Sequence, residues 1–386
     1  MIKVLKNAKI FSPKYLGKKD ILILKDKIAL IDEEVDFKTS SMEIKVFDVT
    51  GKIILPGFID SHVHISGGGG EGGFSSRTPE INLSQLIRAG ITTVVGCLGT
   101  DGITRSLENL FAKAKALEEE GLTTFMYTGS YAVPPLTITG SIVKDLVLID
   151  KVIGVGEIAI SDHRSTQPTL DEIKKVVSSA RLGGLLSNKA GVVNFHVGSG
   201  EAGINYLFEI ARNTEIPIVN LYPTHMNRNR NLLFQGIEFA KMGGFFDLTT
   251  SYSTMEGKDR TVGFLRECFE NKVIDNVTLT SDGQGSLPKF GSSGSFMGLK
   301  IGEVSSLYEI VREVVNNGYI PLEEAIKTIT LNPSKVLKLR SKGQIKKNFD
   351  ADLVIINEDL EIESVMSRGE FLMFEKSLVK SGTFEQ

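Results

Sequence analysis

The 386-residue chain has no tryptophan, two cysteines and five histidines. Cys97 and Cys268 cannot build a disulfide framework, which fits a reducing cytosol. Neither sign of charge is in excess: the formal net charge is −3. That excludes the basic footprint of a nucleic-acid binder and a membrane-seeking face. No apolar run is long enough to span a bilayer. The opening Met1-Ile-Lys-Val-Leu-Lys lacks the apolar stretch of a secretory signal. A cytoplasmic setting is therefore expected. Nothing else in the sequence singles out a dinucleotide fold.

What is present is an ordinary globular composition, 41% hydrophobic, in a chain longer than one compact core usually holds. Residues 1–54 read as short strands broken by Lys, Gly and Asp. Residues 336–386 read the same way. The two ends are expected to pair into one small β-sandwich domain flanking a large insert, residues 55–335. Within the insert, strands and helices alternate. The strand candidates are Gly57 to His64, Thr92 to Leu98, Thr123 to Thr128, Val152 to Ile160, Val192 to Val197, Ile218 to His225, Phe245 to Ser251 and Val277 to Ser281. Several are near-continuous apolar runs, as in a parallel sheet buried on both faces. This α/β pattern has the size of a (β/α)8 TIM barrel. A doubly wound open sheet is the alternative.

Scarcity makes each histidine worth weighing. His62 and His64 close the run I-L-P-G-F-I-D-S-H-V-H. One residue apart on a strand, they point to the same face. Two neutral imidazoles side by side are a natural ligand pair for zinc or a similar ion. H-x-H alone is a weak signal. However, His196 ends V-V-N-F-H-V-G, His225 ends I-V-N-L-Y-P-T-H, and Asp282 ends V-T-L-T-S-D-G. A barrel carries its chemistry at these C-terminal strand ends. Alone, His196 or His225 reads as an ordinary hydrogen-bonded histidine; together they read as ligands. Glu157 lies inside V-I-G-V-G-E-I-A-I. A carboxylate in an apolar run is costly unless paired or bound to metal. A buried salt bridge is the plain alternative. A bridge between two ions fits the histidines better.

These stretches together resemble the amidohydrolase superfamily and, within it, the isoaspartyl dipeptidases. The likeness runs from P-G-F-I-D-S-H-V-H to F-D-A-D-L-V. It is carried by G-G-G-G-E at Gly67 to Glu71, G-C-L-G-T at Gly96 to Thr100, Y-T-G-S-Y at Tyr127 to Tyr131, A-I-S-D-H-R-S at Ala159 to Ser165, P-T-H-M-N-R-N at Pro223 to Asn229, and S-D-G-Q-G-S at Ser281 to Ser286. One position departs from the family. Its members carry a lysine at the end of the fourth strand, carboxylated on its amine to bridge two metals. Here Glu157 stands there, and no lysine lies between Lys151 and Lys174. Glutamate offers the same carboxylate on a shorter stem and needs no carbon dioxide.

The reading is metal-assisted amide hydrolysis. His62, His64 and Asp282 would hold one divalent ion, His196 and His225 the other, and Glu157 both. Two ions about 3.5–4 Å apart bring the pKa of a shared water to near neutral. The bridging hydroxide attacks the amide carbonyl, and Asp282 accepts the proton and passes it to the departing amine. By resemblance Tyr131 donates to the oxyanion, although a rim aromatic packed on Pro134 and Pro135 is an equal reading of the residues. The substrate implied is a β-aspartyl dipeptide. Glu71 suits its amine. Main-chain N–H groups at Gly69 and Gly70, with Thr100, Arg164, Arg228 and Ser286, suit its carboxylates. Asp162 and His163 have no assigned role, although Asp162 could orient a ligand imidazole. The resemblance also implies two zinc ions per chain and a homo-oligomer, with an octamer the form it points to. Two alternatives stay open. One is another amidohydrolase, a hydantoinase or dihydropyrimidinase or an N-acyl-amino-acid deacylase. The other is an inactive scaffold.

Overall fold

The computed structural model describes residues 2–37, 43–290 and 296–385. The expected barrel is present. Its parallel strands are β1 (Phe58–Val63), β2 (Ile91–Gly96), β3 (Thr123–Thr128), β4 (Val152–Ile160), β5 (Val192–Val197), β6 (Leu221–Thr224), β7 (Phe246–Thr249) and β8 (Val277–Thr280). Pairing is continuous from β1 to β6, and β7 pairs β8. The Met226 N–H donates to the Asp247 carbonyl at 3.0 Å and brings β6 to β7. On the far side the His64 N–H donates to the Gly283 carbonyl at 2.9 Å, and the Ser281 N–H reaches the buried Asp60 carboxylate at 3.3 Å. These contacts close β8 onto β1.

β1, β2, β4 and β5 are buried along their whole length. That burial is what their near-continuous apolar runs demand. Outside them lie helices over Leu107–Glu119, Leu170–Ser187, Asn205–Asn213, Arg230–Lys241, Met255–Glu270 and Ser306–Asn316. The longest begins with a capping box of Thr169 and Glu172. A Cβ on Gly236 would stand 2.9 Å from the Phe246 ring, so helix Arg230–Lys241 lies hard against β7.

β6 and β7 fall furthest short of the ranges the sequence predicts. Pro217 is followed by a turn of 3-10 helix, Ile218–Asn220, which delays β6 to Leu221. β7 stops at Thr249 instead of Ser251. Helices Ile142–Leu148 and Ser306–Asn316, and a hairpin of Ser286–Phe290 with Phe296–Ile301, are additions to the sequence-based expectation.

The two chain ends meet in one nine-stranded sheet. Leu353–Ile356 pairs antiparallel with Ile53–Pro56, which leads straight into β1. Alternation divides this join. Leu353, Ile355 and Ile54 pack with Leu5, Ile10 and Ile21 in the sheet's own apolar cluster. Val354, Ile356 and Leu55 face the other way, into the barrel's core. Period-two side chains thus fasten the small sheet to the barrel beside the strand that carries His62.

Candidate metal centre and substrate cavity

His62, Glu157, His196 and His225 are all at most 3% exposed, and His64 is 6% exposed. His62 and His64 stand at the end of β1, Glu157 within β4, His196 in β5, His225 one residue beyond β6 and Asp282 two beyond β8. Their side chains converge on the Glu157 carboxylate. Oε1 lies 3.5 Å from His64 Nε2. Oε2 lies 3.4 Å from His62 Nε2, 2.9 Å from His196 Nδ1 and 3.5 Å from His225 Nε2. Asp282 Oδ1 is 3.1 Å from His64 Nε2 and 3.6 Å from His62 Nε2. His225 and Asp282 have φ of 64° and 53°. Non-glycine residues rarely take that left-handed backbone, and it marks positions held for a purpose.

Buried polar atoms normally find partners. Among the described residues, His62 Nε2, Glu157 Oε1 and Asp282 Oδ1 are buried with no hydrogen-bond partner. Three such atoms aimed at one space fit a cation. Donor atoms of His62, His64, Cys97 and Glu157 lie within 4.8 Å of one another, and so do those of Glu157, His196 and His225. Glu157 belongs to both groups, so these residues suit two divalent ions sharing one carboxylate.

The opposite ring nitrogens are held from behind. His62 Nδ1 is 3.0 Å from Asn194 Oδ1, His225 Nδ1 is 2.6 Å from Thr249 Oγ1, and His64 Nδ1 is 3.8 Å from Cys97 Sγ. Such contacts fix ring orientation. Burial raises the Glu157 pKa, but the imidazoles of His62, His196 and His225 outweigh it and hold the carboxyl well below its usual range. For Asp282 burial likewise acts upward, and His64, His225 and His62 hold it lower. Burial, His196 and Arg228 push His225 down to about 3, which leaves its lone pair free at neutral pH. Burial lowers His62 and His64 as well, yet Cys97 and Glu157 raise both well above the ordinary value.

Above the ligands opens a cavity of about 360 Å³. Gly69, Glu71, Thr100, Tyr131, Arg164, Arg228 and Ser286 line it; Gly70 does not. Arg164 lies 3.3 Å from Glu71, and its guanidinium stands 5.3 Å from the centre of the Tyr131 ring. Tyr131 Oη is 2.7 Å from His196 Nδ1, which places the phenol at the ligands and not on a rim. Arg228 Nε is buried without a partner among the described residues, a donor still free for an anion. Leu287, Pro288 and Leu299 of the hairpin form an apolar wall. His163 reaches the mouth with its side chain 90% exposed.

The glycine loop is not slack. Gly67 and Gly69 have φ of 85° and 71°, and a Cβ on Gly67 would meet the Thr78 carbonyl at 2.5 Å. Buried Arg105 donates to the carbonyls of Gly68 at 3.1 Å, Thr78 at 2.7 Å and Ser66. Sequence reasoning missed Arg105, Thr78, Thr249 and Asn194, and gave Cys97 no role. Asn194 had a signal, since it sits two residues before His196 on the same strand face. Arg105 had none.

Residues 53–372 match the model of the Amidohydrolase family. A solved β-aspartyl dipeptidase of Fervidobacterium islandicum AW-1, in complex with β-Asp-Leu dipeptide, is 57% identical with a TM-score of 0.94, covering 100% of this chain and 99% of that one. A second structure of a β-aspartyl dipeptidase from that organism is 55% identical with a TM-score of 0.92 and full coverage of both chains. A dihydroorotase of Listeria monocytogenes serotype 4a (strain HCC23) is 38% identical over 120 residues, which is 30% of this chain and 26% of that protein. The match thus spans about a quarter of that relative's length.

Proposed function

This chain is an enzyme of the amidohydrolase family, beside the β-aspartyl dipeptidases, and from that premise we propose that it hydrolyses the isopeptide bond of β-aspartyl dipeptides. His62, His64 and Asp282 would hold one divalent ion, His196 and His225 another, and Glu157 both; zinc suits this set of imidazole and carboxylate donors. When bound, such ions polarise an amide carbonyl and acidify water.

The chain's own residues supply the rest. Asp282, beside the His62–His64 pair, accepts the proton of the attacking water and delivers it to the departing amine. Tyr131 offers its hydroxyl to the carbonyl oxygen as charge builds there. Glu71 takes the substrate amine, exchanging its contact with Arg164 for the new cation. Arg164, Arg228, Thr100, Ser286 and the main chain at Gly69 take the carboxylates; Gly70, outside the cavity, takes no part. The hairpin's apolar wall limits water around the site.

One observation carries the reading: a metal-type donor set shares its cavity with a carboxylate and two guanidiniums. A neutral cyclic ureide would not need those charges. The test is turnover of β-Asp-Leu, α-Asp-Leu, a hydantoin and an N-acetyl amino acid by one zinc-loaded preparation. β-Asp-Leu should exceed the others at least about tenfold in kcat/KM. A hydantoin turned over as well or better overturns the substrate class, and no turnover with fewer than two metals per chain points to a scaffold.

Assembly and location belong to the same proposal: a homo-oligomer, an octamer by resemblance, in the cytoplasm. Exposed leucines support assembly, with Leu148 on helix Ile142–Leu148 at 68% and Leu185 and Leu186 on its packing neighbour at 59% and 65%. Among the described residues no helix is long and apolar enough to cross a membrane. Light scattering on the purified chain settles the assembly, and a monomer at micromolar concentration counts against it.

A further inference from the structure

Asp162 has no part in the chemistry described so far, yet it touches both halves of the site. It is 7% exposed. Its Oδ1 accepts the Arg164 backbone N–H at 2.8 Å and Arg164 Nε at 2.9 Å. Its Oδ2 accepts Arg164 Nη2 at 2.8 Å and lies 3.0 Å from His196 Nε2. The other nitrogen of that ring, Nδ1, faces Glu157 Oε2 at 2.9 Å and Tyr131 Oη at 2.7 Å.

A neutral imidazole donates from one nitrogen and offers a lone pair on the other. Nε2 faces a carboxylate, which can only accept, and also the guanidiniums of Arg164 at 3.1 Å and Arg228 at 3.2 Å, which can only donate. The guanidiniums favour a lone pair on Nε2; the carboxylate favours a hydrogen there. With the hydrogen on Nε2, the lone pair on Nδ1 points at the space shared with Glu157. We propose that Asp162 is a positioning residue: it fixes the tautomer of His196 so that Nδ1 is the metal-facing atom, and the same carboxylate holds Arg164 at the substrate mouth. One side chain thereby links metal retention to carboxylate binding. The inference rests on the reading that His196 and His225 hold an ion.

Asp162→Asn separates the two tasks. The Arg164 N–H and Nε both donate toward Oδ1, so the new amide places its oxygen there and its NH2 toward His196, at the loss of only the Arg164 Nη2 contact. That NH2 donates to Nε2 and moves the ring hydrogen to Nδ1, which then cannot ligate. Asp162→Ala removes the hold on Arg164 as well. With only five histidines in the chain, 15N-histidine spectra of metal-free protein at alkaline pH report the tautomer directly.

Glu157 at 2.9 Å competes for the hydrogen on the Nδ1 side, so the readout is the difference: the Asn variant should shift His196 toward Nδ1–H relative to the wild type. In the Asn variant one of two zinc ions should bind about 10- to 100-fold more weakly, while KM at saturating zinc rises less than in the Ala variant. The Ala variant should raise KM as well. Unchanged His196 spectra together with wild-type zinc affinity in the Asn variant overturn the proposal. A purely structural Asp162 would lower the unfolding temperature without moving the tautomer, which also overturns it. Should the wild type take up fewer than two zinc ions, the two-ion reading falls, and the metal-free spectra still decide the role of Asp162.

Discussion

Glu157 sits within β4 with both oxygens turned to imidazoles, and no lysine is near enough in sequence to replace it. Glu157→Gln keeps the volume and removes the charge. It should cost at least one bound metal and more than about 100-fold in kcat, beyond the usual loss for a residue one shell further out. Wild-type reconstitution with zinc should proceed equally with and without bicarbonate, because a glutamate needs no carboxylation. A strict bicarbonate requirement contradicts this. The histidines add a pH dependence. His62 and His64 are raised in the metal-free protein by Cys97 and Glu157, against their burial. Despite its burial, the Cys97 thiol is lowered by the same pair and acts in the opposite sense, but the two rings themselves hold protons above about pH 6.5 that the unfolded chain releases. This stabilisation is complete below that pH and is lost as pH rises through the folded values. Zinc needs the neutral rings, so its stabilisation runs the other way. Between about pH 6 and 9 the gap in Tm between zinc-loaded and metal-free protein should widen. Parallel curves would contradict the assignment of that pair.

At the scale of elements, the loop that carries Glu71 depends on Arg105, whose guanidinium holds the carbonyls of Ser66, Gly68 and Thr78. Arg105→Ala removes the guanidinium from the buried Ser66 and Thr78 carbonyls, while Gly68 keeps its bonds from Thr78, a loss of about 1–3 kcal/mol in stability. KM for β-Asp-Leu should rise about tenfold or more while both metals stay bound. Loss of metal with unchanged KM would contradict the assigned role. Legibility followed local signals. β3, β4 and β5 span the predicted ranges because their apolar runs have no competing pattern. β6 was overestimated because Ile218 and Val219 look like strand while Pro217 starts a tight helical turn. Helix Ser306–Asn316 was missed, although the spacing of Leu307, Ile310, Val311 and Val314 carries a helical signal. Helix Ile142–Leu148 carries no such signal, being seven residues long with an exposed Val147 and Leu148. The convergence of the strand-end histidines and carboxylates was readable because β-geometry fixes where they point. Arg105 and Thr249 act across sequence separations that carry no periodic signal.

For the molecule as a whole, the small sheet closes both chain ends over the strand that feeds β1. Its join relies on alternate residues serving two cores, Leu353 and Ile355 on one side, Val354 and Ile356 on the other. Ile355→Ala should lower stability by about 2–5 kcal/mol, read as a drop in denaturation midpoint, with metal content unchanged in the folded protein. A drop in metal content without lost stability would place the sheet's role elsewhere. Everything at the barrel mouth depends on one shared carboxylate, and anomalous scattering at the zinc edge from crystals of the zinc-loaded chain tests it most directly. The account predicts two peaks flanking the Glu157 carboxylate, one beside His62, His64 and Asp282 and one beside His196 and His225. A single peak, or two with Glu157 bound to neither, would contradict it.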